Sequence, residues 1–275
     1  MYILSILITG ILDKHGLLNK IRDEFTNLIM HYLSLFDHYK TKNQRQIRYL
    51  YLLVLIPVVI ILSLTKIIVL EFHLVGELID FILFMLSCQI FSWKNEAANN
   101  APVQNFINTY AIKFFAPLFW FLVIPTFGPI AYLIVTLISM KIKDKSPDLI
   151  VYNMTVDKML FYINIIPFLA LYFFLAIAGN FEEILHFVLS KKSEFKTKSF
   201  YFLENTLKDV ILISIGKSTF QNNVLSSEVD DFSQDYIIEE KLSTELNPYI
   251  VAILYRTGLF FISVLAIIDL TVIMH

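Results

Sequence analysis

The chain has 275 residues, 57% of them hydrophobic and 17% charged, with a formal net charge of -2. Soluble domains carry about 45–50% apolar and ~25% charged residues, so an ordinary soluble globular domain is excluded, as is the basic field of a nucleic-acid-binding surface. The single cysteine, Cys88, excludes a disulfide framework or a cysteine-built zinc site.

The opening MYILSILITGIL is short, has no basic leader and runs straight into Asp13. It is expected to dip into a bilayer or pack on it, and to be neither a signal peptide nor a full span. In LLNKIRDEFTNLIMHYLSLF, the residues Leu18, Ile21, Phe25, Leu28, Ile29, Tyr32 and Phe36 recur at helical spacing. Lys20, Arg22, Asp23, Glu24 and Asn27 lie elsewhere on the wheel, as in an amphipathic helix resting in the membrane interface.

Apolar blocks follow at 49–70, 74–93, 114–140, 159–179 and 249–274. Each approaches or exceeds the ~20 residues needed to cross hydrocarbon. The expected fold class is all-α: a polytopic membrane protein with about five transmembrane helices plus interfacial amphipathic helices. The expected organisation is 1–48 as an N-terminal apolar segment and interfacial helix, 49–179 as a four-span membrane core, 180–248 as a cytosolic connection, and 249–275 as the last span. Within 180–248, residues 181–190 and 195–215 are weakly amphipathic, and 221–247 is polar and acidic, expected as a loop.

The block 114–140, FFAPLFWFLVIPTFGPIAYLIVTLISM, holds no charge but carries Pro117, Pro125, Gly128 and Pro129. Each proline removes an amide donor, so the freed carbonyls need partners in neighbouring helices or water. A bent helix packed centrally and a broken helix lining a site both satisfy this text. For topology, a single kinked crossing puts sixteen Lys or Arg on the side of 13–48, 94–113 and 180–248, against four on the other. A re-entrant hairpin would weaken that bias, so the positive-inside rule favours the crossing.

Ionisable residues within spans are functional candidates, because a charge at mid-depth costs about 2.5–3.5 kcal/mol on insertion scales. Lys66, Glu77, Asp80 and Asp269 fall at similar depth near one side. They either snorkel or, for Lys66 with Glu77 or Asp80, form a pair. Gly216-Lys217-Ser218-Thr219 imitates the end of a phosphate-binding loop, but its first glycine would have to be Ile211. The six histidines have no ligand spacing, so neither metal nor cofactor is expected.

The run Ala116-Pro117-Leu118-Phe119-Trp120, followed by Phe127-Gly128-Pro129, resembles the A-P-L-F-W … W-G-P signature of the AmpE family of bacterial inner-membrane proteins. That family is related to the CobD/CbiB proteins of cobalamin biosynthesis. Asp157 and Pro167 in VDKMLFYINIIP resemble the family's I-D … V-P run. The resemblance covers about 105–180. It implies a regulatory or sensory protein tied to β-lactamase induction and cell-wall status. The expected partners are the bilayer and a protein reached through 180–248, and no enzymatic role is expected, because a complete nucleotide motif and synthase-type acidic residues are absent from the sequence. The chain departs from the synthases: Asn108, Thr109 and Ile112 stand where their acidic E-N-x-x-D run falls, and Phe168 and Leu169 replace an arginine of AmpE. A small-molecule transporter and a synthase-related membrane enzyme are the alternative readings.

Overall fold

The computed structural model describes residues 2–36, 44–69, 73–91, 103–125, 127–145, 150–215 and 234–273. In chain order they form α1 (Tyr2–Lys14), α2 (Asn19–Ser34), α3 (Gln44–Val69), α4 (His73–Ser87), α5 (Val103–Thr109), a π-helical turn (Tyr110–Phe115) and α6 (Ala116–Val123). Then come α7 (Gly128–Lys145), α8 (Ile150–Ala178), α9 (Phe181–Ser190), a 3-10 turn (Lys191–Thr197), α10 (Phe200–Ser214) and α11 (Gln234–Ile273). No strand occurs among the described residues.

Three helical stretches, Val103–Val123, Met154–Ala178 and Pro248–Ile267, are long and apolar enough to cross a membrane, and Tyr49–Leu64 and Gly128–Lys141 are shorter apolar helices. The protein is an all-α membrane protein. On α8 the sidedness is visible: Tyr162, Ile166, Leu169, Phe173 and Ile177 recur every three or four residues and are exposed, while Phe168, Leu171, Tyr172 and Leu175 on the other side are buried. A row of exposed large apolar side chains on one helix face suits lipid, not water.

Four expectations change. The block 114–140 is two helices, not one kinked crossing. The block 74–93 is not a full span: α4 has 15 residues and ends at Ser87, a rise of about 22 Å against ~30 Å of hydrocarbon. Of the expected loop 221–247, residues 234–247 are helical, because α11 begins at Gln234; 216–233, including Gly216-Lys217-Ser218-Thr219, lie outside the described residues. Arg22, expected on the polar face of α2, is 3% exposed, while Ile21 and Leu28 point outward.

The contacts divide the chain into two compact units. The first comprises Met1–Ile90, Ala116–Asn164 and Lys198–Phe200. At its centre α4 packs against α1, α2, α3, α6 and α7. Phe84, fully buried, stacks on Phe121 with centroids 4.4 Å apart. Ile29, Leu33, Tyr51, Val54, Ile130, Ile134, Val135 and Ile138 join α2, α3 and α7. Pro57 interrupts the bonding of α3, and within that turn the Val54 carbonyl accepts from the Tyr32 hydroxyl at 3.1 Å.

Arg22 explains where α4 stops. Its Nε donates to the Met85 carbonyl at 3.0 Å and its Nη2 to the Cys88 carbonyl, while Nη1 pairs with the Asp13 carboxylate. The last carbonyls of a helix have no intrahelical donor, and a cation there also meets the negative end of the dipole. Asp13 at the end of α1 balances the charge.

The second unit comprises Phe91–Phe115, Ile165–Thr197 and Tyr201–His275. Phe115, Phe174 and Phe261 form its aromatic centre, with Phe261 centroids 4.9 Å from Phe115 and 4.8 Å from Phe174. The Tyr110 hydroxyl donates to the Leu254 carbonyl at 3.0 Å. Gly258, one turn on, leaves that hydroxyl its room: a Cβ there would lie 3.3 Å from it. The Tyr172 hydroxyl donates to the Leu203 carbonyl at 2.8 Å, and Gly179 lets Ser214 close in, since a Cβ would fall 2.8 Å from the serine Cα. α10 therefore lies along the C-terminal half of α8. Asn180 caps α9, accepting from the Glu183 amide at 3.4 Å.

Candidate functional site at the break between two apolar helices

Helical bonding reaches Ile124, whose amide donates to the Trp120 carbonyl at 2.9 Å. It fails at Pro125, which has no amide to offer the Phe121 carbonyl. The chain resumes through Gly128, donating to the Ile124 carbonyl at 2.7 Å, and Pro129 in the first turn of α7, where a missing amide costs nothing. Residues eight apart on one helix are about 12 Å apart. Here a Cβ on Gly128 would fall 2.7 Å from the Trp120 carbonyl carbon and collide with its oxygen. The chain thus reverses sharply and α6 packs on α7 as a helical hairpin, a contact open only to glycine.

Upstream, the π-helical turn Tyr110–Phe115 immediately precedes Pro117, which is buried in the first turn of α6. Proline denies the Lys113 carbonyl its usual donor, and a widened turn at that point accommodates the change in bonding.

Pro167 lies inside α8. The carbonyl four residues earlier, on Ile163, therefore lacks its helical donor. The Trp120 indole nitrogen supplies one, donating to the Ile163 carbonyl at 3.1 Å. Beside it Asn164, 1% exposed, accepts from the Tyr132 hydroxyl at 3.0 Å through Oδ1 and donates to the Leu160 carbonyl at 2.9 Å. A carboxamide buried among apolar helices is stable only when both its ends are engaged, as here.

Trp120, Gly128 and the carbonyl freed by Pro167 are therefore linked in one place, and Pro117, Pro125 and Pro129 shape the helices that meet there. Asp157 is half-buried earlier on α8, and Glu77 and Asp80 are half-buried on α4. The side chains of Lys66 and Asp269 lie outside the described residues, and with them the expected pairing of Lys66 with Glu77 or Asp80.

Two features escaped the sequence. The lone Asn164 in an apolar run is visible as a signal, but Tyr132 is 32 positions away and nothing local names it. Asn108 Nδ2 donates to Glu204 Oε1 at 2.9 Å, and Gln104 Nε2 donates to Asn108 Oδ1 at 3.0 Å. A carboxylate from α10, Glu204, thus stands beside Asn108. Among the described residues no group of three or more His, Cys, Asp or Glu could hold a metal.

No protein-family model, no curated protein and no solved structure matches the chain.

Proposed function

We propose that the chain is a multi-pass bacterial inner-membrane regulator or sensor of the AmpE type, acting between cell-wall status and β-lactamase induction, with no catalytic step of its own. One observation supports this most. The residues that carry the resemblance, Ala116-Pro117-Leu118-Phe119-Trp120 and Phe127-Gly128-Pro129, are those that build the hairpin, and Pro167 frees the carbonyl that Trp120 engages. A joint of this kind suits signalling because little energy holds it. Side-chain hydrogen bonds between membrane helices are worth on the order of 0.6–2 kcal/mol. A ligand or partner with a modest preference for the open joint would shift its population several-fold. The partner is a protein reached through 180–248.

The test pairs two readouts in a strain with an inducible β-lactamase. Membrane abundance and β-lactam-induced expression are measured for the deletion, Pro125→Ala and Trp120→Phe. The reading expects the deletion to alter induction, and both substitutions to alter it at near-normal abundance. Unchanged induction in the deletion strain would sink it.

A further inference from the structure

The apolar span of α11, Pro248–Ile267, has two unlike faces. Ile250, Leu254, Thr257, Phe261 and Leu265 are buried in the second unit. On the other side Tyr249, Ala252, Arg256, Leu259, Ser263 and Ile267 recur every three or four residues and are exposed. One of these six carries a full charge. The span rises about 30 Å, the thickness of the hydrocarbon, and Arg256 stands eight residues past Pro248, about 12 Å from the nearer end. Helical side chains lean toward the N-terminus, so Arg256 leans toward Pro248. An arginine stem covers little more than half of that distance. The guanidinium therefore stays below the boundary, where an unmatched cation is most costly.

Charges at such depth are held by an opposite charge. From Tyr249 to Ser263 the helix has no Asp or Glu, so α11 does not supply one within two turns of Arg256. Being exposed, Arg256 meets whatever covers this face. Lipid phosphates stay at the boundary, above its reach. A second copy, meeting this face through a two-fold axis along the membrane normal, would set one Arg256 against the other, and like charges repel. A membrane helix with a carboxylate at mid-depth supplies the complementary charge. Ala252, one turn before Arg256, and Ser263, two turns after it, are small and exposed, which lets a second backbone approach closely.

We propose that the Ala252, Arg256 and Ser263 face of α11 docks a transmembrane helix of a partner protein through an Asp or Glu that pairs with Arg256 inside the bilayer. This docking is independent of the regulatory reading and of the region 180–248. The full chain, with a donor fluorophore at its carboxyl terminus, is reconstituted in phosphatidylcholine vesicles. Acceptor-labelled polyleucine transmembrane peptides with one central aspartate, asparagine or leucine are added, at an alkaline pH that ionises the aspartate. Energy transfer to the aspartate peptide is expected at about tenfold lower peptide density than to the other two. Arg256→Met should erase that preference and Arg256→Lys should keep it, both at unchanged thermal unfolding because the position is exposed. Equal transfer to the three peptides, or an undiminished preference in Arg256→Met, overturns the assignment. Loss of the preference in vesicles rich in phosphatidylglycerol would also overturn it, since Arg256 would then take a lipid headgroup. Arg256-dependent transfer between two copies of the chain without peptide would overturn it in favour of a second copy.

Discussion

A guanidinium at 3% exposure persists only because each of its three nitrogens has a partner. Arg22 meets a carboxylate and two helix-end carbonyls, and removing it takes a partner from all three. Arg22→Met is therefore expected to destabilise the protein in detergent by about 3–5 kcal/mol, the usual result of breaking a buried pair from one side. Arg22→Met with Asp13→Asn should recover part of the loss, with a coupling of about 0.5–3 kcal/mol in a double-mutant cycle of unfolding. Additive losses would show that the carbonyls of α4, and not Asp13, are the partners that matter. The helical wheel could not reveal this role. It registers Arg22 as polar and so as outward, whereas the acceptors lie at positions 85 and 88, a whole helix pair away.

Helix breaks tell a similar story one level up. The prolines and Gly128 announce in sequence that 114–140 is interrupted, and the interruption falls at 124–127, between Val123 and Gly128. What sequence cannot announce is where each freed carbonyl finds a donor, because that depends on packing across helices. Trp120 and Pro167 make the dependence measurable. Trp120→Phe should cost about 1 kcal/mol in an otherwise unaltered chain. In a Pro167→Ala background the helix can donate to the Ile163 carbonyl itself, so the cost should shrink to a few tenths. An equal cost in both backgrounds would separate the indole from the proline. Gly128→Ala presses a methyl group onto backbone that cannot swing away, and should destabilise by about 1–3 kcal/mol. Pro129→Ala, in a first turn that tolerates either residue, should stay within about 0.5 kcal/mol. Thermal unfolding in one detergent ranks the pair.

For the whole molecule, composition sufficed for the class, since apolar blocks this long have few other homes. Charge counting was less informative, because it treats 180–248 as one connection on one side. α10 instead packs along the C-terminal half of α8, held by Tyr172 and Gly179, so its charges are not those of a free loop. The lipid-facing row on α8 gives a direct check on the bilayer. Spin labels at Leu169 or Phe173 should be relaxed by oxygen and shielded from a water-soluble nickel chelate, as lipid-exposed sites are. A label at Leu171, fully buried, should be shielded from both. Strong nickel relaxation at Leu169 would place that face in water.

Gly258 also constrains the order in which the gene can drift. Alanine at 258 presses on the Tyr110 hydroxyl, which has only 3.3 Å to a new methyl and a carbonyl bond to lose. Phenylalanine at 110 removes the hydroxyl and the conflict together. The path through Tyr110→Phe first gives up that hydrogen bond but meets no clash, whereas the reverse order passes through a crowded intermediate. Diverged copies of this chain should accordingly hold tyrosine with glycine, phenylalanine with glycine, or phenylalanine with alanine, and seldom tyrosine with alanine.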